Sequence, residues 1–178
     1  MYPIKRTPAI VMHKAGHTRN KQQGFTLLEV LIALLILSIG LLGLAALQTI
    51  GLRSNEMASM RTTSTMLAYD ITDRMRANPQ GITDDDYVID SSPITGTPTD
   101  CTSTDCTTTQ LATYDLSQWK NAVAALPGGL ADITQDAGPP LTHTITVRWD
   151  ENRTGAAGLN CPPLDGDDLR CFRLIFSE

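Results

Sequence analysis

The sequence contains few of the residues on which enzymes and nucleic-acid-binding proteins depend. Only one histidine, His143, follows residue 24, and no motif places a nucleophile beside a base or forms a glycine-rich phosphate loop. Nine lysines and arginines are scattered over residues 25–178, whereas recognition of phosphates rests on basic side chains. We therefore expect no catalytic site, no cofactor and no nucleic-acid partner. His143 lies in an alternating pattern, which predicts a half-buried strand residue.

Acidic residues are missing from residues 1–24, and charged residues are missing from residues 30–47. The first segment carries +5 and the whole chain −5, so the remainder carries −10. Because basic flanks stay on the cytoplasmic side of a membrane, we expect the N-terminus inside and the acidic remainder outside. With Leu27 and Leu28 added, the uncharged run is long enough to cross a bilayer core of roughly 30 Å. No later segment is long enough.

One carboxylate, Glu29, stands inside the start of this apolar stretch. A charge in a membrane helix costs about 3 kcal/mol on insertion scales, so Glu29 calls for a cationic partner. An ordinary signal anchor with an incidental glutamate is one alternative, but it provides no such partner. A secretory peptide cleaved near Gly43 and Ala45 is another, but it does not account for Gly24-Phe25.

Gly24-Phe25-Thr26-Leu27-Leu28-Glu29 and the apolar run that follows resemble the class III signal of type IV prepilins. The resemblance implies that a prepilin peptidase cuts after Gly24 and methylates the new N-terminal amine of Phe25. It also implies that Glu29 meets the N-terminal ammonium of a neighbouring subunit, which would supply the missing cation. Methylation keeps that charge.

A long helix is predicted to continue beyond the apolar run, to about residue 77. Apolar residues recur there at mostly helical spacing, with Ser54 and Ser64 completing the stripe: Ile50, Met57, Met60, Leu67, Ile71 and Met75. Asn78-Pro79 ends the helix, because proline disfavours a helical residue before itself. We expect a removed leader at 1–24, a transmembrane or filament-core half of the helix at 25–48, and an amphipathic half at 49–78.

Residues 79–178 are expected to form a small periplasmic α+β head. Residues 80–113 predict a surface loop, and Asp115 is the predicted N-cap of a second helix whose apolar face is formed by Leu116, Trp119, Val123 and Leu126. Alternating patterns predict three antiparallel strands, near Leu130 and Ile133, at 141–149 with one face buried, and at 169–176. The acidic segments 84–86 and 165–168 lack EF-hand spacing, so we expect solvated turns rather than Ca²⁺ sites.

All four cysteines, Cys101, Cys106, Cys161 and Cys171, fall in the exported part, where an oxidising compartment lets them pair. Three connectivities are possible, and the sequence alone does not choose among them. We favour Cys101–Cys106 and Cys161–Cys171, since each disulfide closes a short loop. Closing such a loop adds roughly 2 to 3 kcal/mol to the free energy of unfolding. The alternative is a metal site on the Cys-x4-Cys pair, which no histidine accompanies. We expect no bound metal.

The order of long helix, loop, strands and late disulfide resembles the type IV pilin fold. Four features also resemble the minor pilins of type IV pili: residues 67–79, the Cys101/Cys106 pair, residues 114–119 and residues 126–129. The resemblance implies a subunit that primes pilus assembly and is carried near the tip, in support of adhesion and twitching motility. A minor pseudopilin of a type II secretion system is the main alternative, and a membrane-tethered periplasmic enzyme is a remote one.

The same resemblance implies the partners and the location. The partners are other minor pilins and the major pilin, the prepilin peptidase, the inner-membrane assembly machinery, and a large tip adhesin. The protein would cross the bacterial inner membrane once, with its N-terminus in the cytoplasm and its head in the periplasm, and would then enter the extracellular pilus.

Overall fold

The computed structural model describes residues 24–136, 138 and 140–177. The predicted leader, apart from Gly24, lies outside the described residues. The secondary structure consists of α1 (Leu27–Ala77), α2 (Pro79–Thr83), α3 (Thr108–Ala124), β1 (Leu130–Asp136), β2 (Thr142–Trp149) and β3 (Arg170–Ser177). The chain divides into two compact units between Ala46 and Leu47.

The first unit contains the N-terminal part of α1, and all its described side chains are exposed. Leucine, isoleucine and valine side chains dominate it, and Leu42, for example, is 72% exposed. By length and composition alone, α1 could cross a membrane. Because large apolar patches on a soluble surface mark an interaction site, this surface requires lipid or another subunit.

The second unit is built on an antiparallel sheet with the strand order β1-β2-β3. Ile133 of β1 lies opposite Ile145 of β2, which in turn lies opposite Leu174 of β3. The later part of α1 contributes a stripe of buried residues to the same core: Met60, Ser64, Ala68, Ile71, Thr72 and Met75. Trp119 of α3 completes this core and is fully buried. The predicted stripe is therefore confirmed from Met57 onward, whereas Ile50 and Ser54 are exposed.

The end of α1 follows from its local sequence. Asn78, the residue before Pro79, leaves the helical conformation with φ −130° and ψ 68°. Its side chain then accepts a hydrogen bond from the Gly81 N–H and caps α2. The predicted helix end is confirmed, while the first helical residue is Leu27 rather than residue 25.

Two predictions about residues 79–124 are wrong. The segment expected to be a loop contains α2 and the first turns of α3, and Asp115 is not an N-cap. The cap is Thr107, whose hydroxyl accepts from the Gln110 N–H while the Gln110 side chain accepts from the Thr107 N–H. This reciprocal capping box starts the helix eight residues earlier than the predicted cap. Asp115 is buried inside α3 instead.

The prediction that only one face of β2 is buried is also wrong. Thr146 and Arg148, on the face expected to be solvated, are 2% and 8% exposed. The Arg148 guanidinium bonds Asp132 of β1 and donates to the Leu159 carbonyl in the connection between β2 and β3, which covers this face. His143, expected to be half-buried, is completely buried, with its ring 6.2 Å from that of Phe176.

Candidate processing and assembly site

The predicted cleavage site lies just before α1. Gly24 and Phe25 are exposed and precede the helix, and the Phe25 side chain is 82% exposed. Apart from its chain neighbours, no described residue has a heavy atom within 4 Å of the position that a Cβ on Gly24 would occupy. The bond between these residues is therefore accessible within the described part of the chain.

Thr26 fixes the start of α1. Its hydroxyl accepts a hydrogen bond from the Glu29 N–H at 3.2 Å, and its carbonyl accepts from the Glu29 and Val30 N–H groups at 3.1 and 3.3 Å. These bonds satisfy amides that a helix start otherwise leaves without partners. The spacing Thr-x-x-Glu is that of a capping box, so the sequence did carry a signal for this role of Thr26.

Glu29 occupies the third position of α1, where a negative charge complements the helix dipole. Its carboxylate makes no hydrogen bond or ion pair with any residue in the described part of the chain, and the surrounding side chains are apolar and exposed. An unpaired carboxylate in such a surface is suited to meet a cation supplied by another molecule.

Both disulfides favoured from the sequence are present. Cys101 bonds Cys106 in the segment before α3, and Cys161 bonds Cys171 at the start of β3. Because these sulfurs are engaged in disulfides, the Cys-x4-Cys pair is not available as metal-binding thiolates.

Two of the four segments that resemble minor pilins, residues 67–79 and 114–119, contact each other in the second unit. The indole N–H of Trp119 donates to the Leu67 carbonyl at 2.8 Å, which ties α3 to α1. Arg74 of α1 donates to the buried Asp115 carboxylate at 3.3 Å. These two hydrogen bonds hold the end of α1 against α3.

A buried polar network extends from Asp115. The Tyr87 hydroxyl donates to Asp115 at 2.9 Å, and Asn78 donates to the Tyr87 hydroxyl at 3.3 Å and to the Thr108 carbonyl at 2.8 Å. Burial is the main cause that raises the pKa of Tyr87, so the phenol stays protonated and donates. The sequence pattern did not indicate this network, because its members are distant in sequence.

Charged residues on the exposed side of α1 are also engaged. Arg61 bonds both oxygens of Glu151, at 2.8 and 3.2 Å, and Arg170 of β3 lies 3.4 Å from the same carboxylate. The Glu151 side chain is only 4% exposed, so this pairing satisfies a buried charge. Arg153 pairs with Glu56 nearby. The segment after β2 is thereby fixed to α1.

The acidic segments form hydrogen-bonded turns. Both oxygens of Asp168 accept from the Asn160 amide, and one also accepts from the Leu164 N–H at 2.8 Å. Asp85 has a positive φ of 61° and accepts a bond from Gln135. Among the described residues, no three histidine, cysteine, aspartate or glutamate side chains are grouped in a way that could hold a metal ion.

Two family models match the chain and together cover the processing site, α1 and most of α3. The model described as type IV pilin Tt1218 matches residues 46–117, and the prokaryotic N-terminal methylation motif matches residues 19–45. The chain belongs to the type IV pilins. Neither a curated protein nor a solved structure matches it.

Membership in this family explains the two units. The long helix and the small antiparallel sheet with two disulfides are those of the type IV pilin α+β fold. The methylation motif and the exposed apolar helix fit membrane anchoring and a pilus. A structural role as a pilin or pseudopilin follows, with processing by a prepilin peptidase and assembly with other pilins.

Proposed function

We propose that this pilin is a minor subunit of the PilV type, which helps to prime assembly of the type IV pilus and enters the filament near its tip. In this role it supports adhesion and twitching motility. The observation that carries the proposal is the exposed apolar part of α1, with an unpaired Glu29 carboxylate at its start. The choice of PilV rests on the four sequence features given above.

Processing completes the proposed site. Cleavage after Gly24 leaves the Phe25 amine, which is methylated and stays positively charged. That ammonium pairs with Glu29 of a neighbouring subunit, and Glu29 of this subunit accepts the ammonium of the next. A subunit that keeps this carboxylate has another subunit above it, so we do not assign it the outermost position.

We also propose a domain boundary between each pair of segments that have different roles. Residues 1–24 are the removed leader, 25–48 cross the inner membrane or line the filament core, 49–78 form the amphipathic half of the helix, and 79–178 form the head. The boundary between the compact units, at Ala46 and Leu47, supports the proposed boundary near residue 48. The chain would cross the inner membrane once, with its head in the periplasm before assembly.

The proposed partners are other minor pilins, the major pilin, the inner-membrane assembly machinery and a large tip adhesin. The second candidate function is that of a minor pseudopilin of a type II secretion system. The processing site and α1 support this function as well as the first one, because pilus and pseudopilus subunits share these features.

Deletion of the gene in the native host tests the two functions against each other. We expect the deletion to reduce surface pili and twitching, to leave secretion of folded enzymes unchanged, and to be complemented by the wild-type chain. In sheared filaments from the complemented strain, the protein should be much less abundant than the major pilin and should be located near one end by gold labelling. Normal piliation together with lost secretion would show a pseudopilin.

A further inference from the structure

A cavity of about 610 Å³ lies between α3 and the segment 91–102 of the head. Its size is within the roughly 300 to 1,000 Å³ range of small-molecule sites. The segment that forms its outer wall is attached at several points. Ile89 exchanges two backbone hydrogen bonds with Ile133 of β1, and Ile94 packs on the hydrophobic core. The Cys101–Cys106 disulfide fixes the far end.

The two charged side chains that line this cavity are already engaged. Lys120 donates to the carbonyls of Asp90 and Ser92, which holds the outer wall against α3. Asp100 accepts from the backbone and hydroxyl of Thr102 and from the Ser103 hydroxyl. One cation and one carboxylate line the cavity, so its lining has no net charge, and a neutral ligand fits it better than an ionic one.

Three polar side chains lie on the α3 side, of which Gln118 and Asn121 are exposed and Tyr114 is half-buried. Tyr114, Gln118 and Asn121 are spaced i, i+4 and i+7, so they share one face of the helix and all line the cavity. In the described structure, the amides of Gln118 and Asn121 and the Tyr114 hydroxyl make no hydrogen bond. Each amide provides both donors and an acceptor, and Tyr114 adds an aromatic face beside them.

We propose that this cavity binds a neutral carbohydrate. Adjacent hydroxyl groups of a sugar act as donors and acceptors at once, which matches the side-chain amides of Gln118 and Asn121. The apolar C–H face of a sugar ring packs on the Tyr114 ring, and Ser91 and Thr97 line the opposite wall. The site is separate from the processing site and would give this pilin a recognition function of its own.

Binding to a printed array of neutral and acidic oligosaccharides tests the proposal. The full chain is purified from the host in a detergent without a sugar head group, because a sugar detergent would compete. We expect it to bind neutral oligosaccharides and expect Gln118→Ala with Asn121→Ala to weaken that binding about tenfold or more, since two hydrogen bonds are lost. Thr113→Ala, on an exposed part of α3 outside the cavity, is the matched control and should bind like the wild type.

Three results of the array experiment would contradict the proposal. The absence of neutral-oligosaccharide binding, equal binding by the double variant, or binding of acidic oligosaccharides alone would overturn it. The double variant should also assemble normally in the host. If it instead loses piliation and the wild type binds no sugar, the cavity is a contact between subunits. Normal piliation by the double variant leaves the proposed pilus function intact whatever the array shows.

Discussion

Glu29 and Asp115 are both carboxylates on helices, and their surroundings assign them different roles. Asp115 is buried and accepts hydrogen bonds from Tyr87 and Arg74 within the second unit. Glu29 is exposed among apolar side chains and bonds no residue in the described part of the chain. The first therefore stabilises the head, and the second is available to another molecule.

Replacement of Glu29 by alanine should separate processing from assembly. We expect Glu29→Ala to be cleaved normally and to be recovered from sheared filaments at roughly a tenth of the wild-type level or less, since the ammonium of the neighbouring subunit loses its partner in a low-dielectric interior. Quantitative blotting of membrane and filament fractions measures both steps. Glu56→Ala, which removes a carboxylate of the same helix together with its surface ion pair to Arg153, is the control. Equal incorporation of Glu29→Ala would refute the proposed charge pairing.

Replacement of Asp115 by alanine should destabilise the head without touching the processing site. We expect a loss of about 2 to 3 kcal/mol, because the buried Tyr87 hydroxyl and the Arg74 guanidinium both lose an acceptor. Asp73→Ala removes only an exposed pair with Arg76 and should cost less than about 1 kcal/mol. Urea unfolding of the disulfide-intact protein, followed by tryptophan fluorescence, compares them. Similar losses for the two variants would show that the network contributes little.

At the scale of elements, the segment between β2 and β3 is held by carboxylates that accept backbone hydrogen bonds. The Leu164 N–H is the largest cause that lowers the pKa of Asp168 below its ordinary value of 3.8. Burial raises the pKa of Asp150, but backbone bonds, led by that from Gly155, outweigh it and lower the value overall. A carboxyl group with a lowered pKa in the folded state stabilises that state above its unfolded pKa.

Acid should therefore loosen this segment. The stabilisation is fully present above about pH 4 and is lost as the pH falls through the lowered pKa values. We expect the thermal midpoint of the wild type to fall below pH 4, and Asp168→Asn to have a lower midpoint at pH 7 and a shallower decline in acid. Asp105→Asn, an exposed change without a hydrogen-bonded partner in the described structure, is the control. A decline as steep in Asp168→Asn as in the wild type would contradict this account.

The sequence predicts a structural feature correctly where residues close together in the chain determine that feature. The end of α1 and the apolar face of α3 are set by Pro79 and by helical spacing, and both were predicted correctly. The start of α3 was missed because Thr107 and Gln110 lie in a threonine-rich stretch that resembles a loop, although the Thr-x-x-Gln spacing was readable. The contact between Arg61 and Glu151 joins residues 90 positions apart, and no local pattern encodes it.

The chain combines an apolar helical segment, which is exposed among the described residues of its unit, with an acidic head that contributes to a separate core. The methylation motif could be predicted from the sequence, because Gly24, Phe25 and Glu29 lie within one short stretch directly before the apolar run. The Asp115 network and the cavity beside α3 required the structure, because their residues are distant in sequence. We propose above all that the mature chain begins at a processed, charged Phe25 amine, two residues before α1.

Intact-mass spectrometry of the protein from membranes of the native host, without reductant, tests that claim most directly. The account predicts a chain that begins at Phe25, is one methyl group heavier than the unmodified sequence, and is four hydrogens lighter because both disulfides are formed. A chain that still carries residues 1–24, or one cut near Ala45, would contradict pilin processing and with it the proposed function.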